Sequence, residues 1–170
     1  MNAESAVHSP RVAAAADGEP APRQPAPRQP ARRLDDAALS HLVGYAASRA
    51  ALELRKVFTR NMAPLDLRVP EFSILMLIAS NGEVNQKQLG QALDISPPNL
   101  AVMLDRMAEC GWVERVRSTR DRRAQHVHLT VRGRAVAERS RKIAATMEEA
   151  ALTSLSRAER ALLIELLRKI

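Results

Sequence analysis

The stretch QLGQALDISPPNLAVMLDRMAECGWVERV, residues 88–116, decides the fold. Asn85 with Gln88 three residues on has the form of a capping box, and Leu89 and Leu93 stand one helical turn apart, so a short helix is predicted through Leu93. Asp94-Ile95 makes a tight turn. Ser96 then suits an N-cap and Pro97 a first-turn position, opening a second helix that runs to about Cys110 and is closed by Gly111. Its Leu100, Leu104 and Met107 form an inner stripe, which leaves Asn99, Val102, Asp105 and Arg106 toward the outer side. Helix, short turn, helix is the plan in which the second helix can enter a major groove.

After Gly111 the apolar period changes from 3.6 to 2. WVERV (112–116) and QHVHLT (125–130) read as strands joined by the turn 117–124, a hairpin wing directly behind the second helix. The turn crowds Arg117, Arg120, Arg122 and Arg123 around Asp121. Such a cluster repels itself and cannot be buried in a short turn. It makes sense where phosphates, or a minor groove of negative potential, come to meet it. Asp121 can then fix the direction of the Arg123 guanidinium through a charge-assisted pair.

The charge map points the same way. The 170-residue chain carries a net charge of +7. Residues 111–142 hold ten Lys/Arg against three acids, and the rest of the chain holds sixteen of each, so one window contains the whole excess. A confined basic patch is a footprint for a polyanion. Aromatics are only 2% of the chain, which speaks against base-stacking platforms for single-stranded nucleic acid.

Outward from this centre the chain is helical. Leu39, Leu42, Val43, Ala46, Ala50, Leu54, Val57 and Phe58 predict a long amphipathic helix to about Arg60. A connector with Pro64 follows. Pro70-Glu71 then opens a helix whose FSILMLIAS run is apolar nearly all round and should be the buried centre, ended by Asn81-Gly82. On the other side Thr130 opens a long helix with Val136, Ile143, Ala144 and Met147 on its apolar side. Ser156 and Glu159 cap a last helix rich in Leu162, Leu163, Leu166 and Leu167, a stripe that needs a partner. Residues 1–33 hold most of the prolines, the near-repeat PAPRQ at 20–24 and 25–29, and almost no large apolar residue, so they are expected to be a disordered tail.

The predicted fold is therefore mainly α with a small β-hairpin wing, a winged helix-turn-helix over 61–139 within a domain spanning 34–170. Segments 34–60 and 140–170 form a helical dimerisation layer. No apolar run approaches the ~18 residues that span a membrane, and no secretory h-region is found, so a cytoplasmic protein is expected. The lone Cys110 sits at a helix C-terminus beside Glu109, where the local field opposes a thiolate, and reads as a structural thiol. His126 and His128 share one strand face, but two ligands without Cys, Asp or Glu at ligand spacing do not make a metal site, so a solvent-facing or DNA-facing role is expected. Trp112 and Phe72 read as core. No Gly-rich phosphate loop or nucleophile elbow is present, so neither catalysis nor a cofactor is expected.

The order of elements, and the residues QLGQALDISPPNLAVMLDRMAECGWVERV with RDRRAQHVHLTVRG, resemble the MarR (multiple antibiotic resistance regulator) family. Asp121, Arg123, Leu129-Thr130 and Gly133 are similar to its wing signature. The resemblance implies a homodimeric regulator, usually a repressor, with recognition helices in successive major grooves of a pseudo-palindrome and wings in flanking minor grooves. It makes Arg123 the minor-groove arginine with Asp121 its orienting partner, Ser96 and Asn99 base or phosphate readers, and Arg106, Arg117, Arg120 and Arg122 phosphate contacts. The chain departs from the family at Ala101 and Val102, where polar or basic residues are common, which shifts reading toward thymine methyls and DNA shape. The resemblance also implies a small aromatic or phenolic acid as effector, in a cleft that His41, Tyr45, Arg49 and Phe72 could line. Two other readings stay open: an architectural, weakly sequence-specific DNA binder, and a metal-dependent or thiol enzyme using His126, His128 or Cys110.

Overall fold

The computed structural model describes residues 34–117 and 125–170. Its elements in chain order are α1 (Val43–Met62), a 3-10 turn (Ala63–Leu65), α2 (Val69–Asn81), β1 (Val84–Asn85), α3 (Gln86–Leu93), α4 (Pro97–Glu109), β2 (Val113–Arg117), β3 (Gln125–Leu129), α5 (Val131–Ala144) and α6 (Arg157–Leu167). The expected tail, residues 1–33, lies outside the described residues.

The core forms around α2, whose Ile74 and Leu75 have no exposed surface. Phe58 and Met62 of α1, Leu89 of α3, Leu100, Leu104 and Met107 of α4, Trp112, and Val127 and Leu129 of β3 close on it in one cluster. The helix ends follow their residues. Gly82 terminates α2 at φ 72, a conformation that costs glycine nothing, and its N–H bonds the Ile78 carbonyl. Thr130 leaves the sheet to cap α5. Its Oγ1 accepts from the Gly133 N–H at 2.9 Å and donates to the Gly111 carbonyl at 2.6 Å.

Four sequence expectations need correction. The first helix begins at Val43, because residues 36–42 close a turn in which the Asp36 carbonyl accepts from Leu39 and Ser40. The long helix after Thr130 stops at Ala144 and does not reach Met147; shorter-range bonds such as Thr146 N–H to the Ile143 carbonyl tighten the chain there. Trp112 precedes its strand and is buried in the core. The sheet has three strands in the order β1-β3-β2, all antiparallel, with Val84 facing Val127 and Asn85 facing His126. A two-residue strand leaves too little alternation to be seen in sequence.

In α6 the capping box forms as expected. The Ser156 N–H donates to Glu159 Oε2 at 2.7 Å, and the Glu159 N–H to Ser156 Oγ at 3.3 Å. Hydrogen bonds from the Ser156 hydroxyl and backbone hold the Glu159 carboxyl below its ordinary pKa of 4.5. A carboxyl depressed in the folded state stabilises above its unfolded value, and that contribution is lost as the pH falls through the lower folded one. The first turn of α6 should therefore exchange its amides faster as the pH drops below 4.5, after correction for intrinsic exchange. Glu159→Gln should abolish that dependence; identical profiles for the two proteins would rule the capping carboxylate out. The rest of α6 is open: Leu162, Leu163, Ile164, Leu166 and Leu167 are 42–52% exposed.

Candidate nucleic-acid interface

The interface candidate is assembled by α3, α4 and the β2–β3 hairpin. The predicted box opens α3, with Gln88 N–H to Asn85 Oδ1 and Asn85 N–H to Gln88 Oε1 both at 2.9 Å. The turn that follows needs two special residues. Asp94 takes the left-handed conformation at φ 50, and the Ile95 carbonyl lies 3.0 Å from where a Cβ on Gly90 would stand. The turn redirects the chain into α4, which buries Leu100, Leu104 and Met107 and turns its opposite side to solvent.

Ser96 precedes α4 in extended conformation, but its hydroxyl makes no capping bond. Pro97 and Pro98 remove the N–H groups of the first two helical positions, including one that such a hydroxyl usually caps. An exposed hydroxyl is left at the mouth of the helix. Asn99 is exposed, and its amide has no partner among the described residues. Val102 stands opposite the buried stripe with 69% of its surface exposed.

Arg106 departs from the expected outward placement. Its Nη1 pairs with Glu71 Oε1, its Nη2 with Asp66 Oδ2 at 2.6 Å, and the guanidinium lies 5.8 Å from the Trp112 ring centre. Glu71 is 1% exposed and also accepts from the Arg68 N–H at 2.9 Å. A buried carboxylate is stable only with a cation beside it, and Arg106 is that cation. The Glu71 bond in turn holds the Arg106 pKa above its ordinary value. On the other flank Arg115 of β2 pairs with Asp105 and donates to the Ala101 carbonyl at 3.3 Å. Two guanidinium clamps thus tie α4 to its neighbours, and local spacing in the sequence signals neither.

The hairpin is described up to Arg117, paired in register with Gln125. The expected contacts Arg120, Asp121, Arg122 and Arg123 lie outside the described residues. Elsewhere in the basic window several cations are already engaged: Arg141 and Lys142 with Glu138, and Arg134 with the Leu129 carbonyl at 2.8 Å. Arg132 and Arg139 have no such partner among the described residues.

His126 and His128 do share a face of β3, with ring centres 6.3 Å apart; both are half-buried, on the face opposite the core-facing Val127 and Leu129. His126 Nδ1 lies 4.0 Å from Glu83 and has no hydrogen bond among the described residues. Among the described residues no group of three or more His, Cys, Asp or Glu is placed to hold a metal. Cys110 is a half-buried free thiol.

The four proposed effector residues do not meet. His41 and Arg49 are exposed, Tyr45 Oη donates to Asp36 at 3.1 Å, and Phe72 packs edge-on against Phe58 at 5.4 Å. Two clefts stand out among the described residues, and none of the four lines either. One of about 680 Å³ lies between the end of α2, β3 and α5, with Met76, Glu83, His128, Arg134 and Arg141 in its walls. The other, about 620 Å³, lies between α1 and the segment after α5, against Val57, Arg60, Asn61 and Met147. Sequence periodicity carries no trace of either, since each depends on which faces of distant helices are left unpacked.

The sequence profile of the MarR family matches residues 67–124. Transcriptional regulator HosA of Escherichia coli is 30% identical over 128 residues, 72% of this chain and 95% of HosA. Among solved structures, the transcriptional repressor CouR bound to a 23-mer DNA duplex superposes with a TM-score of 0.76 at 37% identity, over 81% of this chain and 98% of that one. CouR bound to p-coumaroyl-CoA gives 0.72 at 34% identity, over 80% and 96%. The reduced form of MarR from E. coli gives 0.67 at 28%, over 75% and 94%.

Proposed function

The chain belongs to the MarR family of transcriptional regulators, and from that premise we propose that it is a homodimeric repressor that binds a pseudo-palindromic operator in double-stranded DNA and is released by a small effector. The observation that carries the reading is the free outer face of α4, presented beside a basic hairpin in a fold that matches a repressor solved on DNA. Ser96, Asn99 and Val102 face the major groove. Arg117, Arg120, Arg122 and Arg123 meet phosphate or the minor groove, with Asp121 orienting Arg123. Arg106 is withdrawn from that set, because its guanidinium is held by Glu71 and Asp66.

Segments 34–60 and 140–170 supply the dimer layer, where a second copy would cover the leucines of α6 and give the two-fold symmetry a palindrome requires. No helix among the described residues is long and apolar enough to cross a membrane, and the cytoplasm is the proposed place of action. No catalytic step is assigned to the chain, and its relatives are transcriptional regulators.

For the effector, CouR's p-coumaroyl-CoA favours an aromatic acid or its coenzyme A thioester. Either cleft is of a size that holds a small ligand. A role for His41, Tyr45, Arg49 and Phe72 requires the second copy, since one chain does not gather them. The effector releases DNA only as far as it prefers the dimer geometry that cannot bind.

The test is a titration of the dimer against DNA from its own upstream region and against scrambled DNA across salt concentrations. Selective binding is expected, weakened about tenfold or more by Arg123→Ala. The small number of polar readers on α4 favours one rival, an architectural binder, and equal affinity for both DNAs would establish it.

A further inference from the structure

Two charged residues on the outer side of the recognition helix are already paired, Arg106 half-buried and Asp105 at the surface. Arg106 is bound to Glu71 and Asp66, and Asp105 to Arg115. Near the N-terminal half of α4, the part that meets base edges in helix-turn-helix proteins, the exposed side chains are Ser96, Pro97, Pro98, Asn99 and Val102. Glu109 is exposed too, but ten residues beyond Asn99 it stands about 15 Å further along the axis.

This inventory limits what α4 can read. Guanine is recognised by a bidentate Arg or Lys at O6 and N7, and cytosine N4 by a carboxylate; neither is free on this face. An Asn amide matches adenine N6 and N7, and an aliphatic side chain matches the 5-methyl group of thymine. Val102 has 69% of its surface exposed and stands directly opposite the buried stripe. We infer that α4 reads A·T base pairs, with Val102 packed on thymine methyl groups and Asn99 on adenine, and that G·C pairs at these positions go unread. The inference rests on the regulator reading above.

Deoxyuridine differs from thymidine only by that methyl, so it isolates the contact. Duplexes are selected from a random pool by the full chain, and each thymine of the resulting site is replaced in turn by deoxyuridine. At thymines facing α4, affinity should fall about fourfold per lost methyl and about fifteenfold when both half-sites are changed. In Val102→Ala, whose substitution is on the surface and leaves the core intact, the same replacements should cost less than twofold. A flat uracil scan in the wild type, an undiminished penalty in Val102→Ala, or a selected site with invariant G·C pairs facing α4 would overturn the inference while leaving a sequence-specific regulator. Failure of the pool to yield any enriched sequence would overturn the regulator reading and the inference with it.

Discussion

Arg106→Ala should destabilise the protein by about 3–5 kcal/mol, measured by urea denaturation at matched protein concentration, because it strands a buried charge. Glu71 is 1% exposed and would keep only the Arg68 N–H as a partner. The size of the loss reflects the carboxylate left behind more than the strength of the pair. Combining Arg106→Leu with Glu71→Gln should therefore recover much of it, since Gln retains an acceptor for the Arg68 N–H without the charge. The substitution also separates two roles for this arginine. A phosphate contact would reduce the salt dependence of DNA binding by about one unit of slope per protomer, about two for the dimer, whereas an internal clamp leaves that slope unchanged. A loss below about 1 kcal/mol with a reduced slope would return Arg106 to the DNA surface.

Gly133→Ala should be as damaging for a steric reason. A Cβ at this position would lie 1.8 Å from the Trp112 carbonyl oxygen and 2.8 Å from its carbon. Both are backbone atoms that no rotamer change can move. The first turn of α5 would have to retreat from β2, pulling Thr130 off the Gly111 carbonyl and loosening buried Trp112. A cost of about 3 kcal/mol or more is expected, visible as a lower thermal midpoint or loss of soluble protein. Gly44→Ala is the control. Nothing lies within 4 Å of that position, and alanine in a helix should be neutral or stabilising. Equal behaviour of the two variants would refute the contact at Trp112.

Much of the site was legible because short-range rules governed it. Asn85 with Gln88, Pro97 after Ser96, and the change of period after Gly111 placed α3, α4 and the hairpin without tertiary knowledge. What escaped depended on partners far along the chain. Glu71 reads naturally as a helix-start acid, and it is one, but its other oxygen faces a residue 35 positions away. The outward spacing of Arg106 was genuine; a buried carboxylate beside it turned the side chain back. Ser96 illustrates a local rule defeated by a local exception, the paired prolines that remove helical donors. His41, Tyr45, Arg49 and Phe72 line neither cleft, because which helix faces stay unpacked is not written in local spacing.

The two clamps on α4 have a mechanical consequence. Through Arg106 the helix is fastened to the start of α2, and through Arg115 to the root of the hairpin. A reading head braced at both flanks resists internal bending, so a signal has little to act on within it. What remains adjustable is the span between the heads of a pair. One turn of duplex repeats every 34 Å or so, and heads held a few ångströms off that pitch cannot both seat in their grooves. Sensing, in such a molecule, becomes a matter of gauge.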